Sequence, residues 1–526
     1  MAPATPVGEI PSIVKYLHKT FDSNKTKSLA WRKDQLTRLY DFLVQKRELV
    51  AEVVSKDNGK SGWEVEAEVI VVINEAAHAL EHLDEWAKPI PCPTTLTTLT
   101  DHKVETRLEP LGVACIIGAW NFPIQLTLGP LVAAIAAGNC AVIKPSEVAP
   151  ASEAFLIEWL PKILDSSAIK VVSGGVPETT ALLAQKFDII FYTGSGNVGK
   201  IIMAAAAKQL TPVVLELGGK SPVYVHEDAN IETAAKRLAW AKTMNAGQVC
   251  LCPDYVLVHK NVADKLVKAV VAALKSFYPH AQRSESYSRI INKQHTKRLT
   301  TVLDRQKALS HSKVETGGSY DIDSCFIEPT VFSGVHVSDP VMEDELFGPL
   351  LGIITVENEN EAIGIIKSRD RPLSLYIISE SSEVVNKILD NTLSGGVIVN
   401  GYLFNMLVGD LPFGGVGASG MGNYHGRAGF LAFSHQRSLL WKRHDFLSEG
   451  VQSLAYPTVA SNPWVLSLFR AAVQKWKPTF VGKVVGKVSK WGVPVLVGWG
   501  LFALGKLVGE KGWDGSLEEL VSLLGL

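Results

Sequence analysis

The chain has 526 residues, 52 basic and 53 acidic side chains, a formal net charge of −1 and 47% apolar residues. That length exceeds a single hydrophobic core and predicts two or three domains, and the composition excludes a disordered chain. The balanced charge gives no ground for a nucleic-acid partner.

The six cysteines are few and scattered. The first residues, MAPATPVGEI, lack a basic start and an apolar core, so a reducing compartment is expected. Residues 10–88 place apolar side chains at three- and four-residue spacing with charges on the other face, which predicts helices. Residues 89–112 are rich in Pro and Thr and predict an extended arm of paired strands. Short apolar runs then alternate with helical stretches. The first set lies at 113–120, 140–145, 169–174, 188–194 and 213–219, and the second at 255–260, 350–356, 373–379 and 395–401. Continuous apolar strands separated by helices predict two parallel sheets, each covered on both faces, with a cleft between them. Near residue 445 the pattern stops.

Two stretches raise chemical questions. In FYTGSGNVGK, Gly194, Gly196 and Gly199 fit the G-x-G-x-x-G turn that brings a backbone close to a pyrophosphate. The fingerprint also asks for an acidic residue about 20 positions on, a place that Glu216 could fill as a ribose ligand. In NAGQVCLC, Cys250 and Cys252 stand two positions apart. The pair supplies too few ligands for a zinc clip, and a disulfide between them would be strained. Each is therefore a nucleophile or a packing thiol.

Six segments together resemble the aldehyde dehydrogenase superfamily: GAWNFP (118–123), GNCAVIKPSE (138–147), LELGGKSP (215–222), NAGQVC (245–250), EDELFGPLL (343–351) and LPFGGVGASGMGNYHG (411–426). The last is similar to the class 3 branch, which contains the fatty aldehyde dehydrogenases. The resemblance spans roughly residues 10–440. It implies that Cys250 is the nucleophile, that Glu216 is the general base that activates the hydrolytic water, and that Asn121 donates to the oxyanion. It leaves Cys252 as a packing thiol and gives His425 a structural place. Without the resemblance, Asn121 would read as a helix cap. For the cofactor it implies contacts from Trp120, Lys144, Glu147, Gly194, Ser195, Gly199, Glu345 and Phe347. Glu147 would hold the adenosine ribose and disfavour a 2′-phosphate, so NAD is expected, with NADP possible. No metal is expected.

The implied fold class is α/β, with two parallel-sheet domains, a Rossmann-like cofactor domain and a catalytic domain. A small strand-rich oligomerisation arm and a C-terminal membrane-associating tail complete it. The expected boundaries are 1–88 and 113–215 for the NAD-binding domain and 216–410 for the catalytic domain. Oligomerisation and bridging elements fall at 89–112 and 411–445, and the tail at 446–526. A homodimer is implied by the resemblance.

In the tail, Lys483, Lys487 and Lys490 share one helical face beside a run of valines, as on a membrane surface. The uncharged stretch 491–505 would be about 22 Å long as a helix, against roughly 30 Å of hydrocarbon. A tail anchor and an in-plane insertion both remain open. Ser516 and Glu519 form a capping box for a last short helix. The combined expectation is oxidation of a long-chain aldehyde to the acid by a membrane-associated enzyme. Its catalytic part would face the cytosol at the endoplasmic reticulum, a lipid droplet or the mitochondrial outer membrane. The rivals are a dehydrogenase of medium-chain or aromatic aldehydes, a CoA-acylating enzyme and a catalytically silent scaffold.

Overall fold

The computed structural model describes residues 3–60, 62–93, 101–453, 455–457, 463–464 and 466–467. The tail features at 483–490, 491–505 and 516–519 lie outside the described residues.

Four helices open the chain: α1 (Ile10–Asp22), α2 (Leu29–Gln45), α3 (Arg47–Asn58) and α4 (Trp63–Trp86). Helix α2 begins where the Ser28 hydroxyl accepts from the Trp31 N–H, and α3 ends at Gly59, whose φ of 62° closes the turn. The periodicity of this region places charges on solvent, and here the structure differs. Lys60, Glu64, Glu68 and Glu75 are all buried, together with the apolar stripe of α4.

The extended arm contains β1 (Ile90–Pro91) and β2 (Asp101–Pro110), which pair antiparallel. They form a three-stranded sheet with a strand much later in the chain, Ser434–Lys442. Among the described residues, those of Lys88–Leu108 and from Gln436 on form one compact unit, and the others form a second.

The first large sheet uses β3 (Val113–Ile117), β4 (Cys140–Lys144), β5 (Ile169–Val171), β6 (Ile189–Thr193) and β7 (Val213–Glu216). They are parallel, in the order β7-β6-β3-β4-β5. The order reverses between β3 and β6, and the carboxyl ends at such a reversal are where open α/β sheets bind ligands. Helices α5 (Gln125–Ala137), α6 (Pro150–Ile163), α7 (Val176–Leu183) and α8 (Gly196–Ala207) alternate with these strands.

The second sheet contains β8 (Pro222–Val225) and β9 (Tyr255–His259), joined through α9 (Ile231–Thr243). Later strands are β10 (Lys313–Thr316), a small hairpin of β11 (Tyr320–Asp321) and β12 (Phe326–Ile327), then β13 (Thr330–Ser333), β14 (Leu350–Val356), β15 (Ser374–Ile378) and β16 (Gly396–Val399). The sheet runs β10-β13-β14-β9-β8-β15-β16, parallel except at β10. Its strands split by alternation. Val223, Val225, Val256, Val258, Tyr376 and Ile378 face one core, and Tyr224, Tyr255, Leu257, Leu375 and Ile377 face the other.

A short strand, β17 (Gly420–Met421), pairs antiparallel with β7 and completes the edge of the first sheet. Gly420 has φ 137°, and a Cβ there would lie 2.0 Å from the Leu215 carbonyl oxygen. Only glycine lets this strand approach. The 411–426 segment therefore closes onto the strand that ends in Glu216.

Candidate active site

Cys250 lies at the amino end of the second sheet, on the loop between α9 and β9. The chain leaves α9 through a tight turn, Met244–Gly247, in which Asn245 (φ 49°) and Ala246 (φ 51°) are both left-handed. This conformation costs about 1–2 kcal/mol for a non-glycine residue, so neighbouring contacts must hold it. Glu64 Oε1 accepts the Asn245 N–H at 3.0 Å. Asn245 Nδ2 donates to the carbonyls of Asn121 (3.0 Å) and Gln248 (3.2 Å). Gln248 Nε2 donates to the carbonyls of Asn245 and Arg289, both at 2.9 Å. Gly247 lets the loop pack on a second segment, since a Cβ there would lie 2.3 Å from the Gly348 carbonyl oxygen.

Cys250 is half-buried, whereas Cys252 is buried in the core beside the carbonyls of Ala241 and Pro253. Burial pushes the Cys250 thiol up to about 12, and the charges of Glu345 and Glu216 add to the rise. The backbone N–H groups of Cys250 and Leu251 face the sulfur and oppose it.

Asn121 does not cap a helix: α5 starts at Gln125, with Ile124 at its cap. Its side-chain Nδ2 donates instead to the Gln248 carbonyl, 3.1 Å away on the Cys250 loop. Its backbone carbonyl is the meeting point of a buried network. Lys60 Nζ donates to it at 2.6 Å and Asn58 Nδ2 at 3.3 Å. Lys60 is also paired with Glu68 Oε2 at 2.9 Å, with both side chains at 0% exposure, and lies 3.8 Å over the Phe122 ring. Glu68 Oε1 accepts the Ile124 N–H at 2.9 Å. The sequence reading missed Asn58, Lys60, Glu64 and Glu68. Their signal was the recurrence of carboxylates at 64, 68 and 75, on the same stripe of α4 as its apolar residues.

Glu216 ends β7 with 3% exposure, and neither carboxylate oxygen receives a hydrogen bond from the described residues. Burial raises its proton affinity well above the usual carboxylate range. Tyr424 lies within the fields of Glu216, Cys250 and Glu75. His425 stacks on Phe413 at 5.2 Å, and its Nδ1 is 3.5 Å from Glu75 Oε1.

The expected cofactor residues gather at the carboxyl ends of the first sheet. Ser195 caps α8, accepting from the Val198 N–H at 3.5 Å. Gly199 brings α8 against β7, since a Cβ would lie 2.9 Å from Leu217 Cδ2, while Gly196 faces open space. A helix start is the kind of place that takes a pyrophosphate. Lys144 Nζ, at the end of β4, pairs with Glu147 Oε2 at 2.6 Å; the lysine is buried and the carboxylate exposed. Trp120, after β3, meets Phe347 edge-on at 5.4 Å and His295 at 5.1 Å. The Glu345 carboxyl lies against Gly218, where a Cβ would be 2.2 Å from Oε2, and it accepts the Gly219 N–H. Burial, then the charge of Asp254, push Glu345 up to about 8. Lys220, Asp254 and Arg298 fix this segment. Lys220 Nζ donates to the Asp344 carbonyl at 2.9 Å, Asp254 Oδ2 accepts the Leu346 N–H at 3.1 Å, and Arg298 Nη2 donates to the Leu346 carbonyl at 2.6 Å.

An apolar pocket adjoins the Asn121 and Cys250 loops. Trp63, Val71, Phe122, Trp240, Met244 and Phe404 line it, with Glu68 and Gln125 as its polar members. Trp240 stacks on Phe404 at 5.4 Å and meets Trp63 at the same distance.

The sequence pattern described as "Aldehyde dehydrogenase family" matches residues 3–439. The chain is 43% identical over 453 residues to the rat "Aldehyde dehydrogenase, dimeric NADP-preferring", covering 86% of this chain and 98% of that one. It is 43% identical over 446 residues to rat "Aldehyde dehydrogenase family 3 member A2", covering 84% and 90%. Among solved structures, the fold is similar to a substrate-bound Staphylococcus aureus AldH, with TM-score 0.79 and 38% identity over 82% of this chain and 94% of that one. It is also similar to a glyceraldehyde-3-phosphate dehydrogenase from Methanocaldococcus jannaschii complexed with NADP, with TM-score 0.76 and 25% identity over 84% and 96%. The chain belongs to the aldehyde dehydrogenase family and is an NAD(P)-dependent aldehyde dehydrogenase.

Proposed function

We propose that this enzyme oxidises long-chain fatty aldehydes to carboxylic acids, with Cys250 as nucleophile, Glu216 as base and Asn121 as oxyanion donor. The observation that carries the substrate class is the apolar pocket beside the Asn121 and Cys250 loops. Its lining is aromatic and aliphatic, and Glu68, its one carboxylate, is already paired with Lys60.

In this reading, Glu216 takes the proton of the Cys250 thiol. The sulfur adds to the aldehyde carbon, and the carbonyl electron pair moves onto oxygen. The Asn121 amide and the Cys250 N–H receive that oxyanion, an interaction worth about 3 kcal/mol per donor. NAD(P), when bound, supplies the acceptor for the hydride that leaves the carbon. Glu216 then releases the thiol proton to solvent and, as carboxylate again, takes a proton from the water that attacks the thioester carbon; the C–S bond breaks, and the acid departs as the Cys250 thiolate re-forms. Ser195, Gly194, Gly199, Lys144 and Glu147 hold the adenosine end of the cofactor. Glu345, Phe347 and Trp120 hold the nicotinamide end. Residues 1–88 and 113–215 serve the cofactor, and 216–410 the chemistry.

The same reading makes the enzyme a homodimer through 89–112 and 411–445. It attaches residues 446–526 to a membrane on the cytosolic side, where fatty aldehydes concentrate. The test is NADH absorbance with hexadecanal and with shorter aldehydes, with and without CoA. CoA-independent NADH formation with the highest kcat/KM at long chain length is expected; a preference for short or aromatic aldehydes would overturn the substrate assignment. Flotation with anionic vesicles should recover the full chain and lose it on replacing Lys483, Lys487 and Lys490 together by Glu.

A further inference from the structure

Outside this site, one face of α4 collects metal-ligand side chains. His78 and His82 stand one turn apart, their ring centroids separated by 4.5 Å, and Glu81 lies between them in H-x-x-E-H spacing. One ligand atom from each of the three lies within 4.8 Å of the other two. A fourth group comes from another segment: Asp410 Oδ1 is 3.1 Å from His78 Nε2. That nitrogen is itself buried and makes no hydrogen bond of good geometry. A cavity of about 270 Å³ opens here, with Asn74, Glu75, His78, Glu81 and Gly409 in its wall.

We propose that His78, Glu81 and His82, closed by Asp410, bind a divalent transition-metal ion of the zinc type. Two imidazoles with carboxylates suit zinc, nickel or copper, whereas magnesium and calcium prefer all-oxygen sets. Ligand atoms within 4.8 Å of one another can close on a single ion by side-chain rotation. The cavity supplies the room. The ion would tie the 408–410 segment to α4 and leave the catalytic groups untouched.

A second histidine cluster does not offer the same thing. His311 and His336 are stacked at 4.1 Å with planes 6° apart, and they cannot both point nitrogens at one ion without unstacking. Asp339 there is already engaged by Gln306, His311 and the His336 N–H.

The probe is zinc chloride titrated into the full-length enzyme by calorimetry, with cobalt absorbance as a geometric readout. The background is Cys250→Ala, so that the catalytic thiol takes no metal. One equivalent is expected to bind, with a tetrahedral cobalt band. His78→Ala/His82→Ala should abolish it, His311→Ala/His336→Ala should leave it, and Asp410→Asn should weaken it about tenfold. The conservative His82→Gln covers the case in which the double variant fails to fold, and it should weaken binding at least tenfold. Binding that survives both His82→Gln and the double variant, or the absence of any equivalent in the Cys250→Ala background, would overturn the site.

Discussion

Lys60 Nζ donates to the Asn121 carbonyl at 2.6 Å while paired with Glu68 at 2.9 Å, and neither charged side chain reaches solvent. The link fixes the strand-end loop whose side chain we assign to the oxyanion. Removing one partner of a buried ion pair costs about 3–5 kcal/mol, because the other charge is left uncompensated. Lys60→Met should therefore lower the urea midpoint and reduce kcat together. Lys60→Met with Glu68→Leu should recover much of the stability but not the kcat. Recovery of both by the double variant would show that the pair does not position Asn121.

The proposed mechanism divides the chemistry between two residues. Cys250→Ala should remove oxidation outright. Glu216→Gln should lower steady-state kcat by about 10²- to 10⁴-fold. Because Glu216 serves both steps, the glutamine enzyme should form acyl-enzyme more slowly and hold what it forms, visible by intact mass at Cys250. An absent acyl adduct together with wild-type turnover would remove Glu216 from the mechanism. Because burial raises the proton affinity of Glu216, wild-type kcat should climb with pH as this group ionises.

Glu75 and His425 form a pair whose pH signatures oppose each other. Burial pushes Glu75 up to about 7 and His425 down to about 4, so both are neutral between those values. The acid's contribution is present below its unfolded value and lost as pH rises through its folded one. The base does the reverse, losing stability as pH falls from its unfolded value toward 4. From about pH 4.5 to 6.5 the folded pair and the unfolded pair each bind one proton, so stability is flat. His425→Gln should expose a loss of stability with rising pH, with a slope approaching about 1.4 kcal/mol per unit. Glu75→Gln should expose the opposite slope. Denaturation midpoints across pH 4.5–7 read both.

Gly218→Ala should act on the cofactor rather than the thiol. The added methyl would fall on the Glu345 carboxyl, which can move only by leaving its place. KM for NAD should rise at least fivefold, while alkylation of Cys250 by iodoacetamide is not slowed, because moving the Glu345 charge away eases ionisation of the thiol. An unchanged KM would separate Glu345 from cofactor binding.

The strands of both sheets were legible wherever a short, mostly apolar run stood between turn residues and helical stretches, as in DIIFYTG and LLGIITV. Pro222–Val225 escaped because it is four residues long, begins with proline and directly follows LELGGKS. Lys313–Thr316 and Thr330–Ser333 escaped because polar residues interrupt them. At the site, the motif residues were legible as a resemblance, whereas the groups that hold them were not. Periodicity assigns charges to solvent, so it read Lys60, Glu64 and Glu68 as surface. Their burial is decided by partners more than fifty residues away, such as Asn121 and Asn245. The left-handed turn at Asn245 and Ala246 was equally hidden, because neither residue type demands it.

The edge formed by Gly420–Met421 along Val213–Glu216, with the Gly426 N–H reaching Glu75 across 351 residues of sequence, has a consequence for biosynthesis. A ribosome that has delivered both parallel sheets has still not delivered the piece that seals the base strand. Until the 411–426 stretch emerges, the acid-bearing end of that sheet stays an open edge, exposed to mispairing with other nascent chains. The end of β7 that carries Glu216 therefore stays open until a segment made after both large sheets has packed on it.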